Sequence, residues 1–440
     1  MRIFEILSNF LGSFLTPVCL LAAALLLFPK IRPARLLNPR SFLRTLRDFP
    51  ENAENTPFAA LSMALAGTLG VGNITGVASA LVSGGPGAVF WMWAGAVFSI
   101  IVKYAEVYLA VKFRRHDGQW YGGAMYYIRD GLQVSGKLPY AAASALGGVF
   151  AVLCCLNSLV TGNIVQSNAA ACVMPAEYRL TCGTVLGVLV FLSLLYGSRK
   201  IEKITAKLMP PLTAVYMIIA VTILVCNASL LPEVIGDIVR SAFAPRAVLG
   251  GTVGFTVREG IRFGVMRGIF SNEAGCGTSP TAHAVSDTKS PHHQACCGVV
   301  EVVFDTLILC TMTALVLLIA DRRYGILPWK SDADTAAVTL EAFRSLTGDA
   351  VYWILMIAVV LFAYGTIIAQ IYYGTVAIRY LTRKKVPMLV YYALSAVCTV
   401  VGSVIASPVM WTLADVIIGI MTVINCAVLI LLRRQCRDGW

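Results

Sequence analysis

Gly67-Thr-Leu-Gly-Val-Gly-Asn-Ile-Thr-Gly76 sits inside an apolar run that extends from about Pro57 to Val82. Each interior glycine costs a helix roughly 1 kcal/mol relative to alanine. Unwound backbone at membrane depth survives only where it is buried in protein or lines a cavity. Two readings of the stretch therefore stand: a seam of small residues where helices touch, or a helix break that binds something. The rest of the chain decides between them.

The surrounding sequence is that of a polytopic membrane protein. Of 440 residues, 58% are hydrophobic and 13% charged, where a soluble domain carries about 25% charged residues. Mean hydropathy is +0.76, and many apolar runs approach the ~20 residues that cross a bilayer. The net charge of +12 does not point to nucleic acid, because the basic residues are scattered between apolar runs and read as topology signals. No small-residue cleavage site follows the first run, Leu11–Phe28, which reads as a retained helix. The cysteines form no CxxC pair, and most sit in apolar runs as small hydrophobes. Cys172 and Cys182 flank one short loop and can pair if that loop is extracytoplasmic.

Eleven spans are expected, an all-α architecture: Leu11–Phe28, Pro57–Val82, Ala88–Phe113, Pro139–Cys172, Leu180–Tyr196, Pro210–Cys226, Leu249–Phe270, Gln294–Ala320, Val351–Leu381, Pro387–Ile405 and Val409–Leu432. Basic residues gather in alternate loops, at Lys30–Arg47, Lys112–Lys137, Arg199–Lys207, Arg379–Lys385 and the tail from Arg433. The positive-inside rule then puts the N-terminus outside and the C-terminus in the cytoplasm of a cell-membrane protein. Leu231–Phe243 and Ala336–Leu346 have apolar residues at helical spacing and are expected as short helices on the outer mouth.

The seventh span ends in a second polar, glycine-rich interruption, Ser271-Asn-Glu-Ala-Gly-Cys-Gly277. Five spans run from the second to the sixth, and five oppositely oriented ones from the seventh to the eleventh. Each half opens with a broken helix, the pattern of an inverted-repeat transporter. The implied division is an extra helix and basic loop over 1–50, repeats over 51–228 and 229–432, and a basic tail over 433–440. This moves the opening stretch from packing seam to binding site. A broken helix exposes N–H groups at one half and carbonyls at the other. Amides at Gly70, Val71 and Gly72 suit a carboxylate. Thr68 and Asn73 add side-chain oxygens, and the carbonyl end suits Na⁺. A substrate ammonium would meet carbonyls, hydroxyls or Glu273.

Other polar residues have two readings each. Glu106 and Asp305 are acids in apolar surroundings, which are usually functional. Glu106 can equally pair with Lys103, and Asp305 can fix helix packing, for example through Thr306. Arg258, Glu259, Arg262 and Arg267 form either a face toward a water-filled vestibule or a gate of ion pairs. The polar run Thr161–Asn168 is interhelical glue or, at Gln166, a substrate contact. Thr366 and Gln370 share a helix face at i, i+4, and Thr366 suits Na⁺ as an oxygen ligand. His283, His292 and His293 with Cys276 match no zinc spacing. HExxH, GxSxG and Walker motifs are absent, so no enzyme chemistry is indicated.

With these residues in view, the chain resembles the sodium:alanine symporter family, the alanine or glycine:cation symporters. The similarity is carried by Gly70-Val-Gly-Asn-Ile-Thr-Gly-Val-Ala78, Gly84-Gly-Pro-Gly-Ala-Val-Phe-Trp-Met-Trp93, Lys103-Tyr-Ala-Glu106, Gly122-Gly123 with Tyr126-Tyr127, and Gly162-Asn-Ile-Val-Gln-Ser-Asn168. Arg267-Gly-Ile-Phe-Ser-Asn-Glu-Ala-Gly-Cys-Gly277, His283, Pro291, Phe304-Asp-Thr306 and Tyr372-Tyr-Gly374 extend it to nearly the whole chain. The resemblance implies a LeuT-type core of two inverted five-helix repeats after one extra helix, and cation-coupled uptake of small neutral amino acids. It implies a substrate carboxylate near Gly70–Gly72, with Asn73, Gln166 and Thr366 lining the pocket and Ser271, Asn272 and the rest of the second break opposite. Sodium would use carbonyls near Ala66 and Leu69 plus Thr366. The family pattern Ser-Thr, then Gly-Trp, reads here Gly365-Thr366, then Ala369-Gln370. That removes a cation hydroxyl at Gly365 and makes the pocket more polar at Gln370.

The expectation is thus a Na⁺-coupled symporter of alanine or glycine, with no resident cofactor and no nucleic-acid partner. Alternatives are a larger polar substrate such as glutamine or serine, proton coupling, or a channel or sensor that keeps the fold.

Overall fold

The computed structural model describes residues 2–31, 56–195, 198–244, 247–249 and 253–437. The basic residues Arg32–Arg47 lie outside the described residues, as do the side chains at 199–207.

Helices carry most of the described residues. In order they are α1 (Arg2–Ile31), α2 (Pro57–Thr68), α3 (Thr75–Gly84), α4 (Gly87–Lys112), α5 (Tyr140–Cys172), α6 (Arg179–Leu195), α7 (Ser198–Cys226) and α8 (Leu231–Phe243). They continue as α9 (Val257–Asn272), α10 (Pro280–His283), α11 (Pro291–Tyr324), α12 (Thr335–Thr347), α13 (Asp349–Leu381), α14 (Lys385–Gly402) and α15 (Ser407–Leu431). Two small antiparallel hairpins interrupt them, one pairing Arg115–His116 with Trp120–Tyr121, the other pairing Ala247–Leu249 with Val253–Phe255.

Among the described residues, nine helices are long and apolar enough to cross a membrane, and the bent pair α2–α3 makes a tenth. The remaining expected span, Leu249–Phe270, is corrected. Leu249 and Val253–Phe255 belong to paired strands, and helix begins only at Val257. Thr256 fixes that start through a capping box with Glu259, which satisfies two otherwise orphaned amides. The 16-residue α9 is too short to span alone and runs into the second break.

Charged side chains are buried within the apolar core, and large apolar side chains are exposed on the surface. Leu189, Leu192, Ile218, Val225, Val397 and Val401 are exposed, whereas Lys103, Glu106, Arg267, Glu301 and Asp305 are buried. This inversion fits a multi-pass protein whose solvent at the belt is lipid. Helices approach closely over small residues. A Cβ at Gly264 would stand 2.2 Å from the carbonyl oxygen of Ala88, so α9 can lie on α4 only with glycine there. The two amphipathic stretches are helices, α8 and α12, and α12 reaches the first break through Thr339, whose hydroxyl lies 3.4 Å from the carbonyl of Ile74. Cys172 and Cys182 do not pair. Both thiols are free, Cys172 facing Asn168 and Cys182 facing the carbonyl of Ala170.

Candidate functional site

The first break separates α2 from α3, whose axes differ by 56°. Thr56 caps α2 by accepting from the amide of Ala59, and Pro57 occupies the first turn, where a missing N–H costs nothing. The helix stops at Thr68. Leu69 and Gly70 leave helical backbone, and Val71–Asn73 make one 3₁₀ turn before helix resumes at Thr75. Gly70 is required sterically, because a Cβ there would stand 2.4 Å from Thr366 Oγ1. The amide of Val71 donates to Gln166 Oε1 at 3.3 Å, and Thr366 Oγ1 donates to the carbonyl of Ala66 at 3.2 Å.

The second break begins at Glu273, which is left-handed (φ 54°) and closes α9. A non-glycine residue there stores roughly 1–3 kcal/mol of strain, and surrounding bonds hold it. Thr278 donates to Glu273 Oε2 at 2.7 Å, and Gln370 Nε2 donates to Oε1. Glu106 accepts from the amide of Gly275 at 3.0 Å and from Asn425 Nδ2 at 2.5 Å, and Asn425 also donates to the Gly275 carbonyl. The local Lys103–Glu106 pair is therefore corrected: Lys103 Nζ lies 3.2 Å from Glu301 Oε2 instead. Glu301 also accepts from Ser279 and bonds His283, whose other ring nitrogen meets Gln294. Among the described residues no group of histidine, cysteine and acidic side chains is arranged to hold a metal ion.

Between the breaks lies a cavity of about 20 Å³, room for about one water. Thr68, Gly72, Gln166, Glu273 and Gln370 line it, together with Gly67, Asn157, Thr161, Phe270 and Cys276. Gln370 Oε1 and Asn157 Oδ1 are buried without a hydrogen-bond partner. Thr68 turns its hydroxyl back to Ala64. Gly70, Val71 and Thr366 form the layer behind this wall, and Gly365 packs on Met209. Leu69 is buried at the end of α2, its amide closing the last helical turn on Leu65.

Asn73 and Ser271 belong to a different group. Asn73 Nδ2 lies 2.6 Å from Asp305 Oδ1, and Ser271 donates to Asp305 Oδ2 at 2.7 Å. Asn272 turns to Thr306 at 3.0 Å and accepts from its own loop at Ala274. Asp305 sits on a π-helical segment of α11, Val303–Cys310. A second such segment, Ser158–Ile164, carries Thr161 beside the cavity. Wide turns of this kind recur at functional sites. The polar run of α5 divides by role: Ser158, Asn163 and Asn168 bond main-chain oxygens of α13, α14 and the residues after it, while Gln166 braces the break.

Beside Trp411 a vestibule of about 190 Å³ is lined by Arg262, Arg267, Ser331, Asp332 and Asp415. Its floor is ionic and aromatic. Arg267 pairs with Asp415, 2.5 Å between Nη1 and Oδ1, and lies 4.0 Å over the Trp411 ring. Trp411 stands edge-on to Phe270, centroids 5.0 Å apart. Of the α9 basic row, Arg267 is buried and ion-paired, and Arg262 lines the vestibule.

Reading the sequence alone missed Asn157, Phe270, Asp415 and Glu301. Each is a polar or aromatic residue in an apolar run, which signals burial but names no partner.

The family model of the sodium:alanine symporter family matches residues 1–438 of this chain. The "Sodium/alanine symporter AgcS" of Methanococcus maripaludis is 35% identical over 391 residues, 88% of this chain and 83% of that protein. The "Probable sodium/glutamine symporter GlnT" of Bacillus subtilis is 31% identical over 98% of this chain and 88% of its own length. Among solved structures, Mhp1, a nucleobase-cation-symport-1 family transporter in a closed conformation, aligns with a TM-score of 0.50 at 14% identity, covering 88% of this chain and 80% of its own. That likeness is one of fold, the LeuT-like transporter fold.

Proposed function

The chain belongs to the sodium:alanine symporter family, a family of transporters and not of enzymes, and from that premise we propose that it takes up a small neutral amino acid together with Na⁺ by alternating access. The observation that carries the reading is the meeting of two helix breaks around one closed polar cavity. A substrate carboxylate would lie against the backbone at Gly70–Gly72, and its ammonium against Glu273. Thr68, Gln166 and Gln370 would complete the pocket, and Phe270 would cover it. Sodium would take the carbonyls of Ala66 and Leu69 with the hydroxyl of Thr366, beside the unsubstituted Gly365. Such a cation organises the same unwound backbone that holds the carboxylate, which couples the two. The proposed organisation keeps repeats at 51–228 and 229–432, an extra first helix, and a cell-membrane orientation with the C-terminus in the cytoplasm.

With room for about one water, the cavity of about 20 Å³ must widen for an amino acid to enter. Alternation follows if the Phe270–Trp411 and Arg267–Asp415 layer opens on one side while the Glu106–Asn425–Gly275 bonds hold the other. A second reading, a larger polar substrate such as glutamine, is favoured by the unpartnered Gln370 Oε1 and Asn157 Oδ1.

Uptake of alanine, glycine, serine and glutamine into proteoliposomes, with and without a Na⁺ gradient, tests both. Gradient-driven accumulation of any of them supports the carrier. Accumulation driven by a proton gradient alone would replace Na⁺ by H⁺, and no accumulation would return the chain to the channel or sensor readings. Counterflow separates carrier from channel, since substrate on the far side stimulates exchange in a carrier and not in a pore, and binding without accumulation marks the sensor.

A further inference from the structure

We propose that a cavity between the hairpin at 115–121, residues 126–133 and the end of α13 is a site for a phosphate-bearing anion, best matched by the headgroup of an anionic phospholipid. The inference does not depend on which solute the chain carries.

The cavity holds about 510 Å³, where small-molecule sites run from about 300 to 1,000 Å³. Arg115, Arg129, Arg379 and Arg383 line it, and among the described residues Asp130 is the one acid on its wall. Arg115 Nη2 and Arg129 Nε each lie 2.7 Å from an oxygen of Asp130. Arg379 pairs with Asp117, in the turn of the hairpin, at 2.8 Å. The Arg383 side chain forms neither a hydrogen bond nor an ion pair among the described residues. Four arginines therefore meet two aspartates, and the excess positive charge is open to an anion.

A topology signal needs charge on one side of the membrane but no shape. Here the charge is shaped. Tyr126 packs edge-on against Tyr121 and Tyr380, with centroids 5.7 and 5.1 Å apart. Arg129 lies 5.0 Å over the Tyr380 ring, and Arg379 4.3 Å over that of Tyr121. Stacking on ring faces holds a guanidinium plane in place. A guanidinium so fixed presents its remaining N–H groups as a fork that matches phosphate oxygens.

The surroundings favour a lipid as the source of the phosphate. Tyr140 and Leu381 line the cavity and are exposed. Leu381 packs beside Gly148 of α5, and Val149, Val152 and Leu156 continue exposed along that helix. On a spanning helix such side chains face acyl chains, so a headgroup in the cavity can lay its tails on this strip. Basic clusters at the membrane surface attract anionic lipids over neutral ones. A bound phosphate would tie the hairpin after α4 to the end of α13, the helix that carries Thr366 and Gln370.

Native mass spectrometry of the purified full-length protein tests this, with dioctanoyl phosphatidylglycerol, dioctanoyl phosphatidylcholine and glycerol 3-phosphate as probes. The wild type is expected to retain one phosphatidylglycerol and no phosphatidylcholine. Arg379→Gln with Arg383→Gln should weaken that binding about tenfold or more. Arg383→Gln alone breaks no bond of the fold and should weaken it in part. Arg433→Gln with Arg434→Gln removes the same charge from the tail, outside the cavity lining, and should leave binding unchanged. Glycerol 3-phosphate retained as tightly as phosphatidylglycerol would support the site and make its ligand a soluble phosphate. Retention of neither, equal retention of the two lipids, or binding unchanged in Arg383→Gln and in the folded double variant overturns the proposal. Equal loss in the tail pair overturns it too, because diffuse surface charge would then suffice.

Discussion

Gln370 donates its side-chain amide to Oε1 of Glu273, so one hydrogen bond joins the middle of α13 to the left-handed residue of the second break. Gly162 makes room for it, because a Cβ there would stand 2.5 Å from Gln370 Cβ. The bond occupies an oxygen that a substrate ammonium would need, so entry requires Gln370 to move or to share.

Glycine at position 273 keeps the left-handed backbone at no steric cost and deletes only the carboxylate. Glu273→Gly is expected to elute from size exclusion as the wild type does and to lose amino-acid uptake. Retained uptake would remove Glu273 from the pocket.

Gln370→Leu removes the amide that meets Glu273 and the unpartnered Oε1. A hydrogen bond to a charged group is worth roughly 1.5–3 kcal/mol. If that amide also recognises a polar side chain, the preference for glutamine over alanine should fall about tenfold or more, as read by competition against labelled alanine. An unchanged ratio would place specificity elsewhere.

Gly70→Ala forces a methyl group against Thr366 Oγ1, an overpacking that costs about 1–3 kcal/mol. Thr366→Ala relieves it, so the double variant should melt above Gly70→Ala alone. Na⁺-dependent uptake should stay lost, since the hydroxyl is gone. Additive melting shifts would show that the two residues do not touch.

Trp411→Ala removes one of the two rings between vestibule and cavity. Cys276, which lines the cavity, should then react faster with a small thiol reagent, as followed by peptide mass spectrometry. An unchanged rate would mean that access is limited by another layer.

Lys103 and Glu301 are both fully buried. Removing one partner of a buried pair costs about 3–5 kcal/mol, whereas replacing both by neutral groups is nearly free. Lys103→Met is expected to lower the melting temperature and yield, and Lys103→Met with Glu301→Gln to recover them. Failure of the double variant to recover would show that Lys103 serves Glu106 or Glu273 instead.

The membrane class, the two breaks and the short helices α8 and α12 were legible in the sequence. Their signals are local: an apolar run, its glycines, its periodicity. Gly67–Gly76 identifies itself because glycine and asparagine in such a run carry a cost that only burial against protein repays. The same local reading misjudged Leu249 and Val253–Phe255, which fit an apolar helix by composition but pair as strands.

What only the tertiary structure decided is which polar atom meets which. Glu106 reads from sequence as a neighbour of Lys103, three positions away, yet it bonds Asn425, 319 positions on. Gln166 braces Val71 across 95 positions. Asn73 belongs to Asp305 rather than to the cavity. Sequence established that these buried polar groups need partners, because leaving one unpaired in an apolar interior is expensive. It left the choice of partner open, because that depends on how helices distant in the chain are packed and turned against one another.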